Sequence, residues 1–170
     1  MNDDNMNDNY EQLEKETSWF RFSVGNNKAI VNIKNMAKIE EYKADMIEKT
    51  IGNKDFISGV IDSLEEPITV LDLKKYLHIE ETEEEKNDKK IILIVKREDK
   101  DTGRIEKIGI KTDEKIETIN LNVDTIFYEQ DTTVVFHQFF HEVAKIDGKF
   151  VYKLDVDKLF KEIPVSGRIM

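Results

Sequence analysis

Apolar and polar positions alternate over short stretches through most of this chain, which is the period of strands rather than helices. In residues 19–24, Phe20, Phe22 and Val24 share one face. Gly25-Asn26-Asn27 interrupts the run, and Ala29, Val31 and Ile33 then line a second alternating segment. The pattern predicts a β-hairpin. Ile91-Ile92-Leu93-Ile94-Val95 is apolar without alternation, as expected of a strand buried on both faces. Asp101-Thr102-Gly103 turns the chain into a further strand over 105–110. Near the end, 143–146 and 149–154 flank Asp147-Gly148, a pair suited to the positive φ angles of a type I′ turn.

Helical spacing is rare and short. Asp155 caps a segment in which Val156, Leu159, Phe160 and Ile163 fall at i, i+3, i+4 and i+7, closed by Pro164 and Gly167. Asp72 with Leu73, Tyr76 and Leu77 predicts another turn or two, and residues 52–59 carry Phe56 and Ile57 in a helical or turning context. The expected fold is mainly β, with few short helices and no internal repeat.

Composition adds bounds. With 170 residues the chain fits one domain, or two small subdomains sharing a core. It has no cysteine, which removes disulfides, thiol nucleophiles and Cys-based metal sites. No apolar run approaches the length of a membrane span, and Met1-Asn2-Asp3-Asp4-Asn5 lacks the features of a secretory leader. A cytoplasmic location without membrane insertion is the expectation.

The net charge of −10 is concentrated in two places. Residues 1–16 hold six acids and one base, and residues 80–85 hold five glutamates and no base. The rest of the chain is neutral overall. Clustered like charges repel and offer little to bury, so these blocks read as dispensable segments. They predict an acidic flexible tail over 1–17, a folded domain over 18–163 with a charged loop at about 79–90, and a C-terminal tail over 164–170. A neutral body between acidic blocks argues against nucleic-acid binding, which needs a net basic face.

Candidate chemistry is sparse. His137 and His141 stand four apart, but Gln138 occupies the position where a zinc hydrolase needs glutamate, and no third ligand is evident. The glycines stand singly and make no phosphate loop, and no serine has a nucleophile-elbow context. No catalytic residue, metal site or cofactor is predicted.

Several segments in order carry a resemblance. Gly59-Val60-Ile61-Asp62-Ser63-Leu64-Glu65 leads through Glu66-Pro67-Ile68-Thr69 to Val70-Leu71-Asp72-Leu73. The opening hairpin is followed by Met36 and Ile39. Gly109-Ile110-Lys111-Thr112-Asp113 runs on to Ile116, and the 143–159 segment closes the series. Together these resemble CheW-like domains, found in chemotaxis coupling proteins and at the end of the CheA histidine kinase, over almost the whole chain. The resemblance implies two intertwined, SH3-like small β-barrels with a hydrophobic core between them and no catalysis. It also implies an adaptor that couples a CheA-type kinase, through the kinase's regulatory domain, to the cytoplasmic tip of a chemoreceptor.

The departures from the family pattern are specific. Its asparagine-leucine-arginine-glycine is here Asp62-Ser63-Leu64-Glu65, so Leu64 stands where the receptor-binding arginine is usual. Lys38 stands in place of an acidic residue, Met36 in place of a valine, and Glu142 in place of a glycine. An apolar leucine cannot replace a guanidinium that makes directional hydrogen bonds. The partner-binding residues implied are Met36, Lys38, Ile39, Gly59, Asp62 and Leu64. Two alternatives stay open: a specialised CheW homologue serving an unusual receptor or a non-chemotaxis kinase, and a small β-barrel enzyme or ligand carrier using His137 and His141.

Overall fold

The structure is a computed structural model that describes residues 16–49, 55–129 and 138–163. Residues 1–15 of the expected N-terminal tail, the expected C-terminal tail over 164–170 with Pro164 and Gly167, and His137 lie outside the described residues.

The chain begins with β1 (Glu16–Val24) and β2 (Asn27–Asn32), the predicted hairpin, followed by β3 (Met36–Glu41). Ile33 leaves the second strand for a 3-10 turn and is 44% exposed, so it does not share the hairpin's buried face. Next come β4 (Ile57–Ser63), β5 (Glu66–Asp72) and the short helix α1 (Leu73–Tyr76), which Asp72 caps. Ile57 therefore opens a strand and is not part of a helical turn. A one-turn helix α2 (Glu83–Asn87) precedes β6 (Lys90–Glu98) and β7 (Ile105–Asp113). The remaining elements are β8 (Ile116–Asn122), β9 (Tyr128–Glu129), β10 (Glu142–Ile146), β11 (Lys149–Lys153) and α3 (Val156–Glu162). Asp155 caps α3 by accepting from the Lys158 amide.

The strands form two sheets. The first has the order β8-β1-β2-β11-β10-β9 and the second the order β3-β6-β7-β5-β4. The chain builds two of the first sheet's six strands, completes the second, then returns to finish the first, which is the expected intertwining. Two pairings are parallel, β5 with β7 within the second sheet and β2 with β11, which sets the returning chain in register on the first sheet. The barrels are not closed by continuous ladders. Glu16 and Thr17 pair with Asn122 and Leu121, so the first sheet starts two residues before the expected start of the folded domain at residue 18.

Strand alternation distributes the apolar residues over three clusters. Between the sheets lies the largest, with Phe22, Val24, Ala29 and Val31 from the first sheet and Leu71, Leu93, Val95, Ile108 and Ile110 from the second. Phe139, Phe140, Leu159 and Phe160 cap it. The opposite face of the first sheet buries Trp19, Ile30, Leu121 and Val151, and that of the second buries Ile61, Ile68, Val70, Ile92 and Ile94. The unbroken apolar run in β6 follows directly. Ile91, Leu93 and Val95 face the shared core, while Ile92 and Ile94 face the second sheet's own interior. Gly109 lets β7 approach there, since a β-carbon would sit 2.8 Å from the Ile92 methyl.

The acidic segment is not a free loop. Thr82 and Glu85 form a capping box that starts α2. Glu81 and Glu85 reach the ammonium groups of Lys74 and Lys90, whose side chains are 8% and 9% exposed. Buried cations elsewhere in the fold supply the opposite charge that a count along the segment does not show.

Candidate functional site

Strands β3 and β4 form opposite edges of the second sheet, yet the sheet curls enough to bring them together. Just after β3, Glu48 and Val60 exchange backbone hydrogen bonds of 2.9 and 2.8 Å. Gly59 permits this approach. A β-carbon at that position would lie 2.4 Å from the Glu48 carbonyl oxygen and 2.6 Å from the Ile47 side chain, and its φ is +142°. Gly59 thus serves the closure of the curled sheet.

Beside this junction lies a polar cluster. Lys38 and Glu40 are two apart on β3 and project to the same side, with Lys38 Nζ 3.0 Å from Glu40 Oε1. The Ser63 hydroxyl, at the end of β4, donates to the same carboxylate oxygen. That bond holds the Glu40 carboxyl below the usual range; burial opposes it, and Lys38 adds to it. Glu40 is therefore a fixed anion joining the two edges, and Lys38, its partner, remains about half exposed.

Leu64 and Glu65 make the two-residue turn between β4 and β5, with φ of +54° and +64°. Such turns favour Asn-Gly because side chains resist positive φ. Leu64 is also 43% exposed. Asp62, on the last exposed position of β4, lies beside it. Of the six residues implied by the resemblance, Lys38, Asp62 and Leu64 thus flank one junction through Glu40 and Ser63. Met36 and Ile39 pack half-buried against the core between the sheets, and the β-bulge between Met36 and Lys38 separates them from the polar side. Glu40 and Ser63 were not singled out from the sequence, although Glu40 shares the alternation of Lys38.

His141 sits elsewhere, at the start of the first sheet's C-terminal hairpin. Its Nε2 is 2.7 Å from Asp155 Oδ2 and its Nδ1 is 3.4 Å from Glu129 Oε1. Burial opposes ionisation of Asp155, but the hydrogen bonds from His141 and the Lys158 amide outweigh it and lower its pKa. Glu142, in the position of the family's glycine, begins β10 and pairs with Lys153 at 3.3 Å. Among the described residues no group of three or more His, Asp or Glu converges as a metal site. No helix among them is long and apolar enough to cross a membrane.

Comparison with known proteins bears on this geometry. The family model described as CheW-like domain matches residues 18–163. The crystal structure of the scaffolding protein TtCheW from Thermoanaerobacter tengcongensis superposes with a TM-score of 0.68 at 23% identity, covering 88% of this chain and 98% of that one. A search of curated sequences returned no match.

Proposed function

The chain belongs to the CheW-like domain family, and from that premise we propose that it is a non-enzymatic adaptor coupling a CheA-type histidine kinase to chemoreceptors in the cytoplasm. The observation that carries this reading is the family match across the whole two-sheet body, residues 18–163. Adaptors of this kind work by stoichiometric bridging: apolar patches supply affinity and charged rims select the partner. The kinase's regulatory domain is the first partner, a receptor's cytoplasmic tip the second.

The junction of β3 and β4 is the proposed receptor-facing surface, through Lys38, Asp62 and Leu64. Met36, Ile39 and Gly59 support it from within, as packing and closure. Leu64 presents apolar surface where typical members present a guanidinium, and Lys38 reverses a charge. An ordinary receptor should therefore bind weakly, while kinase binding persists on the preserved framework at Gly59-Val60-Ile61 and Val70-Leu71-Asp72-Leu73.

The test measures both affinities for this protein and for two variants, Leu64→Arg alone and Leu64→Arg with Lys38→Glu. The single variant isolates the turn, because Lys38→Glu sets a second carboxylate beside Glu40. The expected result is a gain of receptor binding, about tenfold for one recovered charge-assisted contact, with kinase binding unchanged. Tight receptor binding by the starting protein would overturn the inference from Leu64 and Lys38. Binding to neither partner would overturn the adaptor reading.

A further inference from the structure

Residues 77–89 connect α1 in the second sheet's subdomain to β6, and their course crosses the seam between the sheets. The helix α1 ends as His78 takes φ +57°, with the Ile79 amide donating to the Lys74 carbonyl at 2.8 Å. This turn sends the chain toward the β1–β2 turn of the first sheet. Ile79 then lies against Gly25, in the β1–β2 turn, so closely that a β-carbon on Gly25 would be 3.3 Å from its methyl. On the same side, the Thr112 hydroxyl of β7 donates to the Ser23 carbonyl of β1. These contacts tie one end of the two sheets together.

The segment is held by charge. Lys74 Nζ is 3.0 Å from Asp113, 3.4 Å from Glu85 and 3.5 Å from Glu81. Lys90 Nζ also reaches Asp113, lies 3.2 Å from Glu81 and donates to the Glu85 carbonyl at 2.8 Å. Without the segment, two nearly buried ammonium groups would share the single carboxylate of Asp113. With it, three carboxylates meet two lysines, and the segment's glutamates are part of the balance. The Glu83 side chain, by contrast, is 91% exposed, and its carboxylate pairs with the exposed Lys86.

We propose that residues 79–89 are a charge-held strap across the seam, and that withdrawing Glu81 and Glu85 from Lys74 and Lys90 loosens both the strap and the β1–β2 turn of the other sheet. The device is conformational. Anything that competes for those two carboxylates changes how firmly this end of one sheet is held to the other.

Amide hydrogen exchange on the full chain tests it. In Glu81→Gln with Glu85→Gln, glutamine keeps the capping box at Thr82 while removing the charges. Exchange in residues 79–89 is expected to quicken on the order of tenfold, and in residues 23–27 several-fold, since local opening sets these rates. Glu83→Gln with Glu84→Gln makes the same change in net charge and is expected to leave both regions as they were. Should the strap quicken while residues 23–27 do not, or should both pairs act alike, the clamp across the seam is wrong. Raising salt on the unmodified protein gives a readout without substitution. Faster exchange in both regions supports the proposal, and faster exchange only outside them overturns it.

Discussion

Gly59 and Gly148 both hold positive φ, at +142° and +79°, but for different physical reasons. Gly148 follows Asp147 at φ +50° in the type I′ turn between β10 and β11, and a β-carbon there meets nothing within 4 Å. Gly59 faces a carbonyl oxygen at 2.4 Å, which can yield only by moving backbone. Gly148→Val should therefore cost only the backbone strain of a β-branched residue, about 1–2 kcal/mol. Gly59→Ala adds overpacking at the junction and should cost about 3 kcal/mol or more. Urea unfolding of the two variants distinguishes them, and equal losses would mean that β4 accommodates a side chain at position 59. Leu64 stands apart from both, as an apolar residue kept at positive φ and exposed. Its cost to the fold is consistent with a use outside it.

At the scale of elements, several termini and joints rest on carboxylates held ionised. In Asp113, burial opposes ionisation, but hydrogen bonds from Lys90 and Lys74 more than offset it, so its pKa lies below the usual 3.8. Asp155 at the α3 cap behaves likewise through His141 and the Lys158 amide. A carboxylate whose folded pKa is depressed contributes stability that is fully present above its unfolded pKa. That contribution is lost as pH falls through the folded value. For these two groups the loss begins below about pH 4. Lys74 and Lys90 run the opposite way. Burial disfavours their charge, the surrounding carboxylates outweigh it, and their raised pKa values preserve stability until pH rises beyond about 10.5. Asp155→Asn retains a capping side chain but not the charge. Its stability deficit against the unmodified protein, measured by urea unfolding from about pH 7 down to 2, should shrink as the medium becomes acid. A constant deficit would mean that Asp155 acts as a cap alone.

For the whole molecule, the decisive feature is that the largest apolar cluster belongs to neither sheet. Leu93 from the second sheet packs in the same cluster as Phe22 and Val31 from the first. The interior of one sheet cannot be exposed without stripping the shared core, so the two subdomains should unfold as one. Leu93→Ala is expected to cost about 2–5 kcal/mol. The single tryptophan, Trp19, reports on the first sheet, where it is buried against Leu121 and Val151. Its fluorescence should share the unfolding midpoint of the far-ultraviolet dichroism of the whole chain. Separated midpoints would show that the sheets fold independently. An adaptor that presents different partners with different surfaces gains from such unity, because a distortion at one face is carried by a common core.

Elements whose signal lies within a few neighbouring residues were legible from the sequence: the β1–β2 hairpin, the apolar run of β6, the Asp147-Gly148 turn and the caps at Asp72 and Asp155. Each depends on local φ preferences, alternation or a side chain reaching its own backbone. The motifs shared with the CheW-like family implied the two-subdomain, mainly β fold and pointed to Leu64 and its neighbours as the surface to test. Tertiary structure alone decided what each face packs against. β8 was not foreseen, although Ile119 and Leu121 alternate with polar Thr118, Asn120 and Asn122, and its partner, β1, lies about a hundred residues earlier. The meeting of Lys38, Glu40 and Ser63 required the curl of a whole sheet, since their strands are opposite edges in its hydrogen-bonded order. The acidic run at 80–85 misled for a related reason. Repulsion within the segment is visible in its own residues, but Lys74 and Lys90 become its counter-charges only when α1 and β6 converge. Alternation and propensity act over a few residues, whereas Coulombic and apolar contacts depend on distances that only the folded chain defines.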